Sequence, residues 1–181
     1  RFFSTRDTKK EKTFFSLKEA AIKGLAPDGG LFMPEYIPQV DMKVVEELYK
    51  KSYAELALYL AGLFFGDDVE PQKLEEAVKC AYDFPIHLNS LGENVNTLEL
   101  FHGPTYAFKD FGARFMGQMM GILNDSDEVI VLTATSGDTG SAVANGFYNV
   151  KGVKVVVLYP ADKISPLQEA QMTTLHENIL P

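Results

Sequence analysis

The sequence predicts an α/β protein: a mostly helical N-terminal domain, then the start of a domain built on a parallel sheet with helices against it. Three observations predict it. Before Pro85 the apolar residues recur at helical spacing and do not alternate. After it, "EVIVLTA" and "VKVVVLYP" are near-continuous apolar runs, which read as strands buried on both faces. Each run is followed by a helical pattern, and a β-α-β-α order places the strands parallel.

Taken in chain order, "SLKEAAIKG" opens on a Ser-x-x-Glu capping box, Ser16 to Glu19, and closes at Gly24, so it predicts a short helix. "LAPDGGLFMPEYIP" reads as loop, its apolar residues interrupted by Pro and Gly. Helical spacing holds from Asp41 to about Phe65, and a second box, Ser52 to Glu55, divides it in two. Pro71 takes a first helical position ahead of Leu74, Ala77, Val78, Ala81 and Tyr82. "IHLNSLGENVNTLELF" reads as two strands around a Leu-Gly-Glu-Asn turn. The next helix carries Phe108, Phe111, Phe115, Met119 and Ile122, a stripe read as core. "TSGDTGSAVANGFYNV" is a glycine-containing turn entering a helix, and "SPLQEAQMTT" begins another with Pro166 at its front. The change of texture at residues 85 to 95 divides the chain into domains 1–90 and 91–181.

Composition narrows the function classes. Seventeen Lys+Arg against twenty-five Asp+Glu give a net charge of −8, which disfavours non-specific binding to nucleic acid or to an anionic membrane. A local anion site stays open, because backbone N–H groups bind anions without basic side chains. The single cysteine, Cys80, excludes an internal disulfide, fits a reducing compartment, and falls in a helical pattern as a small buried residue. Three scattered histidines and no Cys-x-x-Cys predict no metal site.

Two local features carry chemistry. In "FHGPTYAFKDFGARF", Lys109 stands at a helix start, where positive charge is disfavoured. The helix end and the neighbouring Phe108 are both expected to favour its neutral amine, which can attack an aldehyde. Asp110 opposes this, but adjacent helical residues do not share a face. In "TATSGDTGSA", the chain leaves a buried strand and enters a helix, the place where open α/β sheets put ligands. Gly137 and Gly140 allow close backbone approach, while Ser136, Thr139 and Ser141 add hydroxyls, so the loop suits a carboxylate or a phosphate. Such turns also occur with no ligand at all. The Walker-type phosphate loop and the Gly-x-Gly-x-x-Gly fingerprint are both absent.

At this point the residues resemble a known family. "HGPTYAFKDFGARF" resembles the pyridoxal-phosphate lysine motif of threonine synthases, and "TATSGDTGSA" and "VVVLYPADKISPLQEAQMTT" resemble the segments that follow it there. "STRD", "GLAPDGGLFMPE" and "SYAEL" resemble that family's N-terminal domain. The resemblance implies a fold-type-II, tryptophan-synthase-β-like enzyme with a three-layer domain that binds pyridoxal 5′-phosphate. Its reaction would convert O-phospho-L-homoserine and water into L-threonine and phosphate, in the cytoplasm. Lys109 would be the catalytic residue joined to the cofactor aldehyde, and Phe108 and Asp138 would contact the cofactor. Thr135, Ser136, Gly137, Asp138, Thr139 and Gly140 would bind the substrate carboxylate. Asp138 stands where many relatives have Asn.

The resemblance also implies that the residues gripping the cofactor phosphate and the pyridine nitrogen lie beyond position 181. The chain is therefore expected to be incomplete at its C-terminus, inactive alone and weak in binding the cofactor. Two other readings share the visible motifs: a phospho-lyase acting on a small phosphorylated amino acid, and a non-catalytic fragment or binding module. A small-molecule substrate is expected, without nucleic acid or membrane partners.

Overall fold

A computed structural model describes residues 1–125 and 128–181. They form two compact units, Arg1–Leu74 and Glu75–Pro181.

In the first unit, β1 (Phe2–Ser4) pairs antiparallel with β2 (Phe32–Pro34), Phe2 opposite Pro34. The segment read as loop thus contains a strand. Three residues are too few to show alternation, and the pairing partner lies thirty positions away, so no local signal exists. The helices follow expectation. α1 (Leu17–Lys23) has the complete Ser16–Glu19 box, and α2 (Met42–Tyr49) and α3 (Tyr53–Phe65) divide at Ser52, whose hydroxyl accepts the Glu55 N–H. α4 (Pro71–Ala81) starts at the proline, and the division between the units falls within it.

The "STRD" and "APDGG" segments meet around two carboxylates. Asp28 accepts from the Ser4 hydroxyl (2.6 Å) and the Gly30 N–H (3.0 Å), and Asp7 from the N–H groups of Thr13 (2.9 Å) and Lys9 (3.0 Å). These bonds hold both carboxyls below the usual aspartate range: Ser4 contributes most at Asp28 and Thr13 at Asp7. A carboxyl whose folded pKa is depressed adds stability above its unfolded pKa and loses it as pH falls through the folded one. The 1–74 unit is accordingly expected to weaken below about pH 4. Asp28→Asn should flatten that acid limb, read as the unfolding midpoint against pH. An unchanged slope would count against the account.

In the second unit, β3 (His87–Gly92) and β4 (Val95–Glu99) form the expected hairpin, turning at Glu93 and Asn94 with φ of 31° and 67°. Then come α5 (Lys109–Leu123), β5 (Val129–Ala134), α6 (Asp138–Gly146), β6 (Val153–Leu158), α7 (Pro166–Thr173) and β7 (Ile179–Leu180). β5, β6 and β7 make a parallel sheet in that order, with Val129 opposite Val153 and Val155 opposite Ile179.

The strands are not buried on both faces. Val153, Val155 and Val157 are in the core, but Ile130, Leu132, Leu158 and Leu180 are exposed. An apolar run shows that both faces avoid charge; whether each is covered depends on packing elsewhere. The α5 stripe is likewise divided. Met119 is buried and Phe111 and Phe115 lie beside the Tyr82 ring, whereas Phe108 is 61% exposed. On α4, Leu74, Ala77, Val78 and Ala81 are buried as the spacing predicts, and this leaves Cys80 on the outer side, exposed and not buried.

Two devices set α5 in place. Gly117 meets α6 backbone to backbone: a methyl there would overlap the Gly146 carbonyl, and one on Gly146 would lie 2.7 Å from the Ala113 carbonyl carbon. Arg114 donates to the carbonyls of Ala81 (2.9 Å) and Cys80 (2.5 Å) and to the Asp83 carboxylate (2.7 Å). A guanidinium there satisfies the orphan carbonyls that end α4.

Candidate active site

The site lies where α5 begins and where β5 passes into α6. Ahead of α5, Gly103–Pro104–Thr105 turns the chain, and Tyr106 adopts φ 59°. The turn is held by Asp110, fully buried, which accepts from the Thr105 N–H (2.9 Å) and hydroxyl (2.6 Å). A methyl on Gly103 would lie 2.9 Å from the Asp110 carboxyl carbon, so this glycine admits the carboxylate. Asp110 is thus engaged with Thr105. Lys109 is half-buried; its Nζ sits 4.4 Å from the centroid of the exposed Phe108 ring, whose face attracts the ammonium, so Phe108 does not favour the neutral amine that the sequence predicts.

In the second loop, Thr135 continues the sheet, donating its N–H to the Leu158 carbonyl (2.9 Å). Its hydroxyl accepts the N–H groups of Gly137 and Gly140, both at 3.0 Å. Gly137 has φ 146°, a conformation that side chains rarely adopt, and a methyl on it would lie 2.6 Å from the Gln168 amide carbon. Ser141 is buried, its N–H and hydroxyl both directed to the Gly137 carbonyl. Thr135, Gly137, Gly140 and Ser141 are therefore spent on shaping the loop. The N–H groups of Ser136, Asp138 and Thr139 have no hydrogen-bond partner among the described residues, and they stand at the positive end of α6.

Both loops line one polar cavity of about 400 Å³, bounded by Lys109, Thr135, Ser136, Asp138, Thr139 and Gln168. Lys109 and Thr139 also line an adjoining apolar cavity of about 500 Å³, walled by Phe108, Phe111, Met116, Val143 and Phe147. The fold thus brings Lys109 to the 135–140 loop, and Phe108 beside it. Sequence reasoning missed Gln168, which donates Nε2–H to Asp138 Oδ1 at 2.8 Å. Its only trace was the Ser165–Gln168 capping box at the start of α7. No group of metal-ligating side chains is present among the described residues, and no helix there is long and apolar enough to cross a membrane.

A lysine and a glycine-bearing βα loop face one cavity on a parallel sheet with helices packed against it, which defines an α/β protein with a candidate amine-bearing site. The comparisons are specific. A family model for the threonine synthase N terminus matches residues 1–82. Threonine synthase of Escherichia coli is 45% identical over 164 residues, covering 91% of this chain and 38% of that protein. The crystal structure of threonine synthase from Escherichia coli superposes with a TM-score of 0.84 at 43% identity, over 98% of this chain and 41% of that one. The pyridoxal-phosphate-bound threonine synthase from Brucella melitensis gives 0.87 at 34% identity, over 94% and 38%. The chain is similar to threonine synthases and matches their N-terminal part. It spans about two-fifths of the length of these relatives.

Proposed function

We propose that this chain contributes to a threonine synthase, an enzyme converting O-phospho-L-homoserine and water into L-threonine and phosphate with pyridoxal 5′-phosphate as cofactor. Residues 1–90 would be its N-terminal domain and 91–181 the first part of its catalytic domain, working in the cytoplasm on a small-molecule substrate. The observation that carries the reading is Lys109 lining the same cavity as the 135–140 loop.

The residues present suit the cofactor. A primary amine stands between a polar and an apolar cavity, which fits an aldehyde-bearing aromatic ring beside Phe108. When bound, pyridoxal phosphate supplies an electron sink for negative charge at the substrate α-carbon. Lys109 Nζ would hold the aldehyde carbon at rest; once freed by substrate, it would take the proton from the substrate α-carbon and return protons later. Unpaired N–H groups of Ser136, Asp138 and Thr139, with the Ser136 and Thr139 hydroxyls, would receive the α-carboxylate, aided by the α6 dipole. Thr135, Gly137 and Gly140 would keep those donors aimed. The residues holding the cofactor phosphate are expected outside these 181, so the chain alone should turn over no substrate.

In the longer enzyme, Lys109→Ala is expected to abolish both turnover and the visible absorbance of the lysine-bound cofactor. Phosphate, threonine and keto acid should be measured together, since keto acid in place of threonine would indicate a phospho-lyase. Undiminished turnover by Lys109→Ala would refute the assignment.

A further inference from the structure

The cavity holds an acid beside the amine that must remain reactive, which sets a problem the fold has to solve. Asp138 is exposed at the first position of α6 and lines the same cavity as Lys109. A carboxylate free to turn toward that amine would pair with its ammonium form and withdraw the neutral form from reaction. The Asp138 carboxylate is tied elsewhere. Gln168 Nε2 donates to its Oδ1 at 2.8 Å, while Gln168 Oε1 accepts from the Ser165 hydroxyl (3.2 Å) and N–H (3.4 Å). The amide is thereby fixed at both ends. Gly137 makes room for it, since any side chain there would collide with it. One turn further along α7, Gln171 donates to the Thr105 carbonyl (3.4 Å), so the same helix touches the turn that precedes Lys109.

Resting on the reading of Lys109 as the aldehyde-binding residue, we propose that Gln168 is a positioning residue: its amide holds the Asp138 carboxylate away from Lys109 and keeps that amine available to an aldehyde. Gln168 touches no reacting atom in this role. It acts through Asp138, and the α7 capping box fixes its direction.

The test uses the 181-residue chain with pyridoxal as the aldehyde, followed by borohydride. Lys109 Nζ bonds to the aldehyde carbon as water leaves, and hydride from borohydride reduces the C=N bond to a stable secondary amine. Peptide mass spectrometry then gives labelling at Lys109 relative to the exposed Lys151. Wild type is expected to label Lys109 preferentially. Gln168→Glu still accepts from Ser165, so the α7 box survives, but it cannot donate to Asp138. It should lower the Lys109:Lys151 ratio roughly tenfold near neutral pH, because the released carboxylate then stabilises the ammonium form of Lys109. Adding Asp138→Asn to Gln168→Glu should restore the ratio, because the new amide carries no charge and can donate to Glu. A merely structural loss would not be repaired this way. If far-UV dichroism shows Gln168→Glu unfolded, Gln168→Ala with and without Asp138→Asn reads the same ratio. No preference for Lys109 in wild type would overturn the reading of the site and this role with it. A preference that survives loss of the Gln168 donor, or is lost and not recovered with Asp138→Asn, would overturn the positioning role alone.

Discussion

Gly146→Ala is expected to lower the unfolding midpoint of the 75–181 unit by about 10 °C, whereas Gly112→Ala should leave it unchanged or raise it slightly. Both substitutions add one methyl in a helix, and both gain up to about 1 kcal/mol of helix propensity. They differ in what the methyl meets. At Gly112 there is nothing within 4 Å. At Gly146 it meets the Ala113 carbonyl carbon at 2.7 Å and the Arg114 nitrogen at 2.8 Å. These are backbone atoms, so no rotamer change relieves the overlap and the helices must separate. Overpacking of this kind costs roughly 1–3 kcal/mol or more. Separating α5 from α6 also removes dispersion contacts along the crossing, so the loss should exceed the propensity gain by about 2 kcal/mol. Thermal melts followed by circular dichroism decide it; equal midpoints for the two variants would contradict the close crossing. Because α5 carries Lys109 and α6 follows the 135–140 loop, the same variant should also blunt pyridoxal labelling at Lys109.

Asp110→Ala is the second large effect. The substitution leaves the buried Thr105 N–H and hydroxyl without their acceptor and opens a space beside Gly103. Hydrogen bonds to a charged group contribute roughly 1.5–3 kcal/mol each, and a buried group left unpaired costs about 1–3 kcal/mol. A loss of about 3 kcal/mol is therefore expected, a large fraction of a small domain's stability. Asp110→Asn separates charge from shape. Its oxygen can accept the Thr105 N–H while its NH₂ donates to the hydroxyl, so it should cost only about 1 kcal/mol. Denaturant melts give both values, and reductive labelling at Lys109 should fall with Ala and largely persist with Asn. Equal losses for the two would mean that the turn depends on the negative charge and not on the pair of bonds.

Lys109 and its loop were readable before any coordinates because they are contiguous motifs: a Gly-Pro-Thr turn, a lysine at a helix start, and glycines between a strand and a helix. The capping box at Ser16 and the Ser52 cap, whose hydroxyl accepts the Glu55 N–H without the reciprocal bond of a full box, were readable for the same reason, since each closes within four residues. Ser4 and Asp28 were visible only as parts of a family resemblance, because the bond between them joins positions 24 apart.

Gln168 marks the limit of such reading. Its capping role is local, while its bond to Asp138 spans 30 positions and exists only because α7 returns across the sheet edge to the β5–α6 loop. The roles within that loop were also invisible. Its hydroxyl-bearing residues looked alike as ligands, yet Thr135 and Ser141 turn inward on the backbone while Ser136 and Thr139 line the cavity without doing so. Periodicity reports which side of an element avoids water; it does not report what covers that side. That is why the apolar runs of β5 and β6 predicted a sheet correctly and its second covered face incorrectly, and why Cys80 was placed on the wrong side of α4. Local order of turns, caps and helices was written along the chain. The direction of each polar side chain was settled only when distant elements met, because a hydrogen bond takes whichever partner the folded backbone brings within about 3 Å.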